Sequence, residues 1–246
     1  MPSHQEHAAS FDEAAAEYAR SRPGYPAQSI AWLLEGIDGA IVDLGAGTGL
    51  LTRDLVPLAT SIVAVEPSDN MRAILADSLP SVTALRGTGE SIPLGDSSTD
   101  AVVSAQAWHW VDVDLASAEV ARVLRPGGRL GLIWNLRDDS IPWVAQLGDV
   151  LGGSAAAGWS ERIREGSPAI GKEFGTVECH TFSWVQRLTV DGLVDLAASR
   201  SYVITVPESE RLPLLDSVRA FGREVADVKG TIALPYRTYS FRAGLS

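Results

Sequence analysis

An acidic residue stands directly before alternating glycines in Val42-Asp43-Leu44-Gly45-Ala46-Gly47-Thr48-Gly49-Leu50. Glycines at a strand–helix junction let the backbone turn tightly and let a ligand approach with no Cβ in the way. The spacing is G-x-G-x-G, with Leu50 where a nicotinamide fingerprint would place its last glycine, which argues against an NAD-dependent oxidoreductase. Asp43 would repel a pyrophosphate and hold a cationic amino group. Further on, Glu66-Pro67 puts an acid where it can accept both hydroxyls of a ribose. A purely structural turn needs the glycines alone. The two flanking acids point to a nucleoside ligand with a positively charged end.

A second constellation is Gln106-Ala107-Trp108-His109-Trp110. It follows a short apolar run, and in parallel α/β sheets ligands bind beyond the carboxyl ends of the strands. Indole faces stabilise a cation by cation–π attraction, and His109 could take a proton from a hydroxyl. The plainer alternative makes Trp108 and Trp110 core residues and His109 a structural histidine. The single cysteine, Cys179, excludes an internal disulfide and a cysteine-rich zinc site. Asp138-Asp139 is the one acidic pair that merits a metal test; no metal is expected.

Parallel strands separated by helices would position these residues. Strands are expected at Ala40–Leu44, Ser61–Val65, Val82–Leu85, Ala101–Ala105 and Arg129–Trp134. Between the last two, Val113, Ala116, Val120 and Val123 recur at helical spacing, and Arg125-Pro126-Gly127-Gly128 should end that helix. After residue 140 the pattern changes. Gly152–Gly158 reads as a small-residue loop, Thr176–Leu188 as a strand, and Pro207 as the opening of a helix. One face of that helix would carry Leu212, Leu215, Val218, Gly222 and Val225. An extended segment from Thr231 follows.

The 31 acidic against 20 basic residues give a net charge of −11, a poor match to a phosphate backbone, so nucleic acid is not the expected partner. No apolar run reaches the length of a membrane helix, and the N-terminal residues lack a secretory signal. The expected setting is cytoplasmic, as a monomer or homodimer acting on a small molecule.

Residues 11 to about 135 resemble the class I S-adenosylmethionine-dependent methyltransferases of the methyltransferase-11 type, and within them proteins similar to trans-aconitate methyltransferases. The resemblance implies an α/β, Rossmann-like sheet of seven strands in the order 3-2-1-4-5-7-6, with strand seven antiparallel. Thr176–Leu188 and Thr231–Arg242 would be strands six and seven. It implies one domain over 1–246: an N-terminal lid (1–38), a cofactor-binding core (39–140) and a substrate-covering part with a helical insert (141–246). S-adenosylmethionine would be the cofactor, lined by Gly45, Gly47 and Gly49, with Asp43 on its amino group and Glu66 and Pro67 at the ribose. Met71 would pack on adenine, Gly89, Glu90 and Gln106 would add contacts, and Arg22 would neutralise the carboxylate. The acid that the family commonly carries at the position of Thr88 is missing. Tyr18, Trp108, Trp110, Arg200 and Tyr236 are the expected substrate contacts, and His109 the catalytic base. The implied reaction is methyl transfer to an oxygen of a small acceptor, carboxylate or hydroxyl. The alternative is a non-catalytic S-adenosylmethionine-binding regulatory partner.

Overall fold

A computed structural model describes residues 22–152, 157–204 and 206–246. Strands β1 (Ala40–Leu44), β2 (Ser61–Val65), β3 (Thr83–Leu85), β4 (Thr99–Ala105), β5 (Leu124–Arg137), β6 (Glu178–Thr189) and β7 (Thr231–Gly244) form one sheet in the order 3-2-1-4-5-7-6, with β7 antiparallel. The expected Rossmann-like order therefore holds. β1 pairs in parallel with β2 on one side and β4 on the other. Covered on both faces, its apolar run has no polar alternation except Asp43. An acid in the middle of the sheet has to serve some purpose.

The helices are α1 (Ala27–Leu33), α2 (Leu50–Leu55), α3 (Asp69–Ser78), α4 (Val113–Val123), α5 (Pro142–Val150), α6 (Ala157–Arg164), α7 (Val190–Ala198), α8 (Ser201–Ile204) and α9 (Glu208–Val225). Two compact units emerge. The larger comprises 24–135, 158–182 and 238–246; the smaller takes the described residues among 22–23, 136–157 and 183–237.

In the larger unit, Ile41, Ala101, Val103 and Ile133 of the sheet pack with Leu33 of α1 and Leu51 and Leu55 of α2. Fully burying each of the larger side chains is worth about 1.5–3 kcal/mol. Side chains cap two helices where they enter: Ser68 accepts from Met71 N (3.2 Å) and Asp112 from Leu115 N (3.1 Å). The expected helix over Val113–Val123 is α4, with Ala116, Val120 and Val123 fully buried. Its Arg122 donates to Glu119, Asp96 and the carbonyls of Ile92 and Leu94, which pins the loop after β3. β5 starts earlier than expected, at Leu124, because Thr99 pairs with Leu124 before a shift in register.

In the smaller unit, Val144 and Leu147 of α5 meet Leu193 and Leu196 of α7, Val218 of α9 and Leu234 of β7. α9 corrects one expectation. Leu212 is exposed, and Leu214, Leu215 and Phe221 join Val218, Gly222 and Val225 on the packed face. Along β6, Phe182, Trp184, Gln186 and Leu188 are half-buried and their neighbours exposed, the period of a strand covered on one face.

Candidate cofactor and acceptor site

The loop from β1 to α2 turns through three glycines with φ of +71° (Gly45), +57° (Gly47) and +86° (Gly49), a region that favours glycine. At Gly45 there is a second constraint: a Cβ would lie 2.6 Å from Ala107 Cβ. Glu66, buried at the end of β2, accepts from Gly47 N (2.8 Å, Oε2) and from Ser68 N (2.9 Å, Oε1). The acid expected at a ribose is thus also the clamp that sets the glycine loop against the entrance to α3. Met71, buried on α3, lies with Sδ 3.8 Å from where a Gly47 Cβ would project. Pro67 is exposed between them.

Asp43 has no exposed surface. Its Oδ2 accepts from Thr52 Oγ1 (2.6 Å), while Oδ1 has no hydrogen-bond partner among the described residues. Burial, against the Thr52 hydrogen bond and with the nearby charge of Glu66, pushes its carboxyl up to about 7. An orphaned buried carboxylate oxygen under a glycine loop suits an ammonium better than any neutral group. Sequence reasoning passed over Thr52, although a hydroxyl in the first turn after the glycines was the signal.

Past β4, Gln106 has φ of +57°, uncommon for a residue with a side chain, and donates through Nε2 to the Asn135 carbonyl (3.0 Å). Gly89, in the tight Thr88–Ser91 turn, is pressed against Val111; a Cβ there would lie 2.7 Å from Val111 Cγ1. Glu90 accepts through Oε1 from Asp112 N (2.8 Å) at the entrance to α4, so that oxygen orients a helix.

The residues Trp108–Trp110 form a 3₁₀ turn. Trp108 is buried and gives its indole N–H to the Ala169 carbonyl (2.8 Å). His109 Nδ1 accepts from Trp134 Nε1 (3.3 Å), which leaves the proton of the neutral ring on Nε2. The imidazole is stacked on Trp159 of α6, 4.1 Å between centroids, and burial lowers its pKa to about 4. The one lone pair of the neutral ring, which a general base at His109 would need, is directed at Trp134 Nε1. A cavity of about 160 Å³ lies here, lined by Trp108, His109, Trp134, Trp159, Arg162 and Pro168 among others. Trp159 and Arg162 were missed, because they follow a small-residue loop and their helix carries no motif. Trp110 is partly exposed and does not line this cavity.

The remaining expectations divide. Tyr18 lies outside the described residues. Arg22 donates to the Ser199 carbonyl (2.9 Å) at the end of α7. Arg200 is half-buried with Nε enclosed and without a hydrogen-bond partner among the described residues. Tyr236 is corrected outright: it is buried in the core of the smaller unit, stacked on Trp184 at 5.0 Å, and lines no open surface. Asp138 accepts from Ser140 Oγ and Arg237 Nε, and no metal-ligand cluster occurs among the described residues. Activity is expected to survive EDTA; loss of turnover restored by magnesium would return attention to Asp138.

A glycine loop flanked by two acids, on a 3-2-1-4-5-7-6 sheet, defines the class I S-adenosylmethionine-dependent methyltransferases. Residues 42–132 match the family model described as a methyltransferase domain. An uncharacterized methyltransferase of Mycobacterium tuberculosis is 46% identical over 245 residues, 96% of each chain. An uncharacterized methyltransferase-like protein of Schizosaccharomyces pombe is 33% identical over 94% of this chain and 93% of its own. Among solved structures, a proposed type II methyltransferase from Anaeromyxobacter dehalogenans aligns with a TM-score of 0.69 at 23% identity, over 91% of this chain and 97% of its own. The chain belongs to the methyltransferase family, and S-adenosylmethionine is its cofactor.

Proposed function

We propose that the chain methylates an oxygen of a small-molecule acceptor, and that this oxygen belongs to an ionised carboxylate. The observation that carries this reading is the state of His109, neutral and with Nδ1 occupied by Trp134. A hydroxyl needs a base to take its proton, and general-base catalysis typically contributes ~10²–10⁴-fold. A carboxylate arrives already deprotonated and needs only to be oriented and shielded from water.

In this reading Gly45, Gly47 and Gly49 admit the cofactor, Glu66 takes the ribose hydroxyls, and Asp43 answers the ammonium from below the loop. Met71 and Gly89 supply the walls of the adenine site. The cofactor brings an electrophilic methyl group on sulfur. The residues after β4 hold the acceptor in line with it. The acidic balance of the chain supports a small molecule over nucleic acid, and a cytoplasmic monomer or homodimer is the matching setting. No helix among the described residues is long and apolar enough to cross a membrane.

Labelled S-adenosylmethionine offered with a panel of carboxylic acids should give products that release labelled methanol in mild alkali, as methyl esters do. Label held in an alkali-stable product would overturn the oxygen assignment. Cofactor binding with no turnover on any acceptor would support a regulatory partner instead. His109→Asn should keep kcat within about tenfold of the parent, since no proton transfer is removed. A loss of ~10²-fold or more, with a pH step near neutrality, would restore the base and the hydroxyl.

A further inference from the structure

The cavity beside the Trp108–Trp110 turn has a one-sided polar inventory. Two of its three indole N–H groups are committed, Trp108 to the Ala169 carbonyl and Trp134 to His109 Nδ1. That leaves His109 Nε2–H, Trp159 Nε1–H and the Arg162 guanidinium, none with a side-chain hydrogen bond or ion pair among the described residues. All are donors. No aspartate or glutamate lines the cavity. A ligand that satisfies it must therefore bring acceptor atoms, and the exposed Arg162 sets their charge as negative.

The walls set the shape. Trp108, Trp134, Trp159 and the His109 ring, the last two nearly parallel at 8°, surround the space with aromatic surface. A volume of about 160 Å³ is close to the ~150 Å³ of an apolar cavity that accepts benzene, so a single six-membered ring fills it. Aromatic boxes also hold ammonium groups, but a guanidinium in the lining repels a second cation. Val111, against which Gly89 is pressed, belongs to the same lining, so the cavity adjoins the loop after β3.

We infer that this cavity is the acceptor pocket, and that it takes a flat, single-ring carboxylate with its ring among the indoles and its anionic group at Arg162. The inference rests on the proposed carboxylate methylation for the claim that the bound acid is the acceptor. The binding claim stands apart from it and is tested without turnover.

Protein saturated with S-adenosylhomocysteine would be titrated by calorimetry, with tryptophan fluorescence in parallel, using benzoate, cyclohexanecarboxylate, benzylamine and 2-naphthoate. Benzoate should bind saturably and at least about tenfold more tightly than the other three. Arg162→Ala, on an exposed position that leaves the fold intact, should weaken benzoate about three- to fivefold, the worth of a partly exposed ion pair, and leave S-adenosylhomocysteine binding unchanged. Trp159→Leu should remove most of the fluorescence response and the preference for benzoate over cyclohexanecarboxylate. Benzylamine binding more tightly than benzoate would mark a cation box and overturn the inference. Absence of benzoate binding, or indifference to Arg162→Ala, would overturn it as well. Saturable benzoate binding with no ester formed from any single-ring acid would leave the pocket assignment standing and sink the proposed carboxylate methylation.

Discussion

Glu66→Ala is expected to lower affinity for S-adenosylhomocysteine about 100-fold, the largest binding effect of any single change in the site. The carboxylate holds Gly47 N and Ser68 N at 2.8 and 2.9 Å, and removing it leaves two loop N–H groups without their partner. Hydrogen bonds to a charged group are worth about 1.5–3 kcal/mol each. Bonds to two ribose hydroxyls, as proposed above, therefore amount to about 3 kcal/mol, close to two decades of affinity, while the loop clamp, made with or without ligand, is lost from stability. Glu66→Gln keeps one acceptor oxygen and should fall near the middle, about tenfold. Calorimetry with S-adenosylhomocysteine decides the matter. An alanine variant that binds within threefold of the parent would show that the loop keeps its shape without the clamp and that Glu66 does not touch the ligand.

The second large effect concerns Asp43 and pH. Its folded-state carboxyl is raised from 3.8 to about 7 by burial, so the native state holds this proton more tightly than the unfolded chain does. Stability from this group is fullest below about pH 4, declines as pH rises through about 7, and stays reduced above. At 1.36 kcal/mol per unit the cost at pH 8 is about 4 kcal/mol. Asp43→Asn keeps an oxygen for Thr52 and carries no charge into the sheet. In the cofactor-free protein it should raise Tm at pH 8 by about 5–10 °C, at 2–4 °C per kcal/mol with some loss from the unpaired amide, and change little at pH 5. The same variant should bind S-adenosylmethionine more weakly, because the charge that would answer the ammonium is gone. A Tm difference that is equal at pH 5 and pH 8 would show that Asp43 is not a buried, titrating acid. The two effects run in opposite directions, as expected where a site carries an unfavourable charge for the sake of its ligand.

The sheet was readable because its strands are short apolar runs cut off by glycine and proline. β1 and β2 match their expected bounds, and β4 and β5 differ only by added residues at their ends. Strand edges depend on pairing, and nothing local in Leu124-Arg125 announces that Thr99 will pair there. The cofactor loop was legible because a tight backbone approach admits few residue types. The acceptor side was not. Trp108 and His109 were found as a cluster, but the role of His109 turned on Trp134, 25 positions away, which occupies Nδ1. Tyr236 was misassigned because an aromatic in a strand reads the same whether it faces a ligand or a core. Trp159 and Arg162 become visible only when α6 lies against the Trp108–Trp110 turn.

The place of β7 in the sheet bears on how the chain is made. It is the last strand in sequence yet lies between β5 and β6. A ribosome adding residues in order therefore produces β1 through β6 before the strand that separates two of them exists. Until Thr231–Gly244 emerges, β5 has an open edge, and that strand carries Leu130, Leu132, Ile133 and Trp134, all buried in the finished protein. An unpaired apolar edge is a template for another chain. The cytosol that makes this protein has a window, at about 5–20 residues per second on the order of ten seconds, in which a nascent chain that holds β5 and lacks β7 is at its most adhesive. Chaperone demand should peak between the emergence of β5 and that of β7, and a stop codon placed shortly before Thr231 should yield aggregate in place of a smaller folded enzyme.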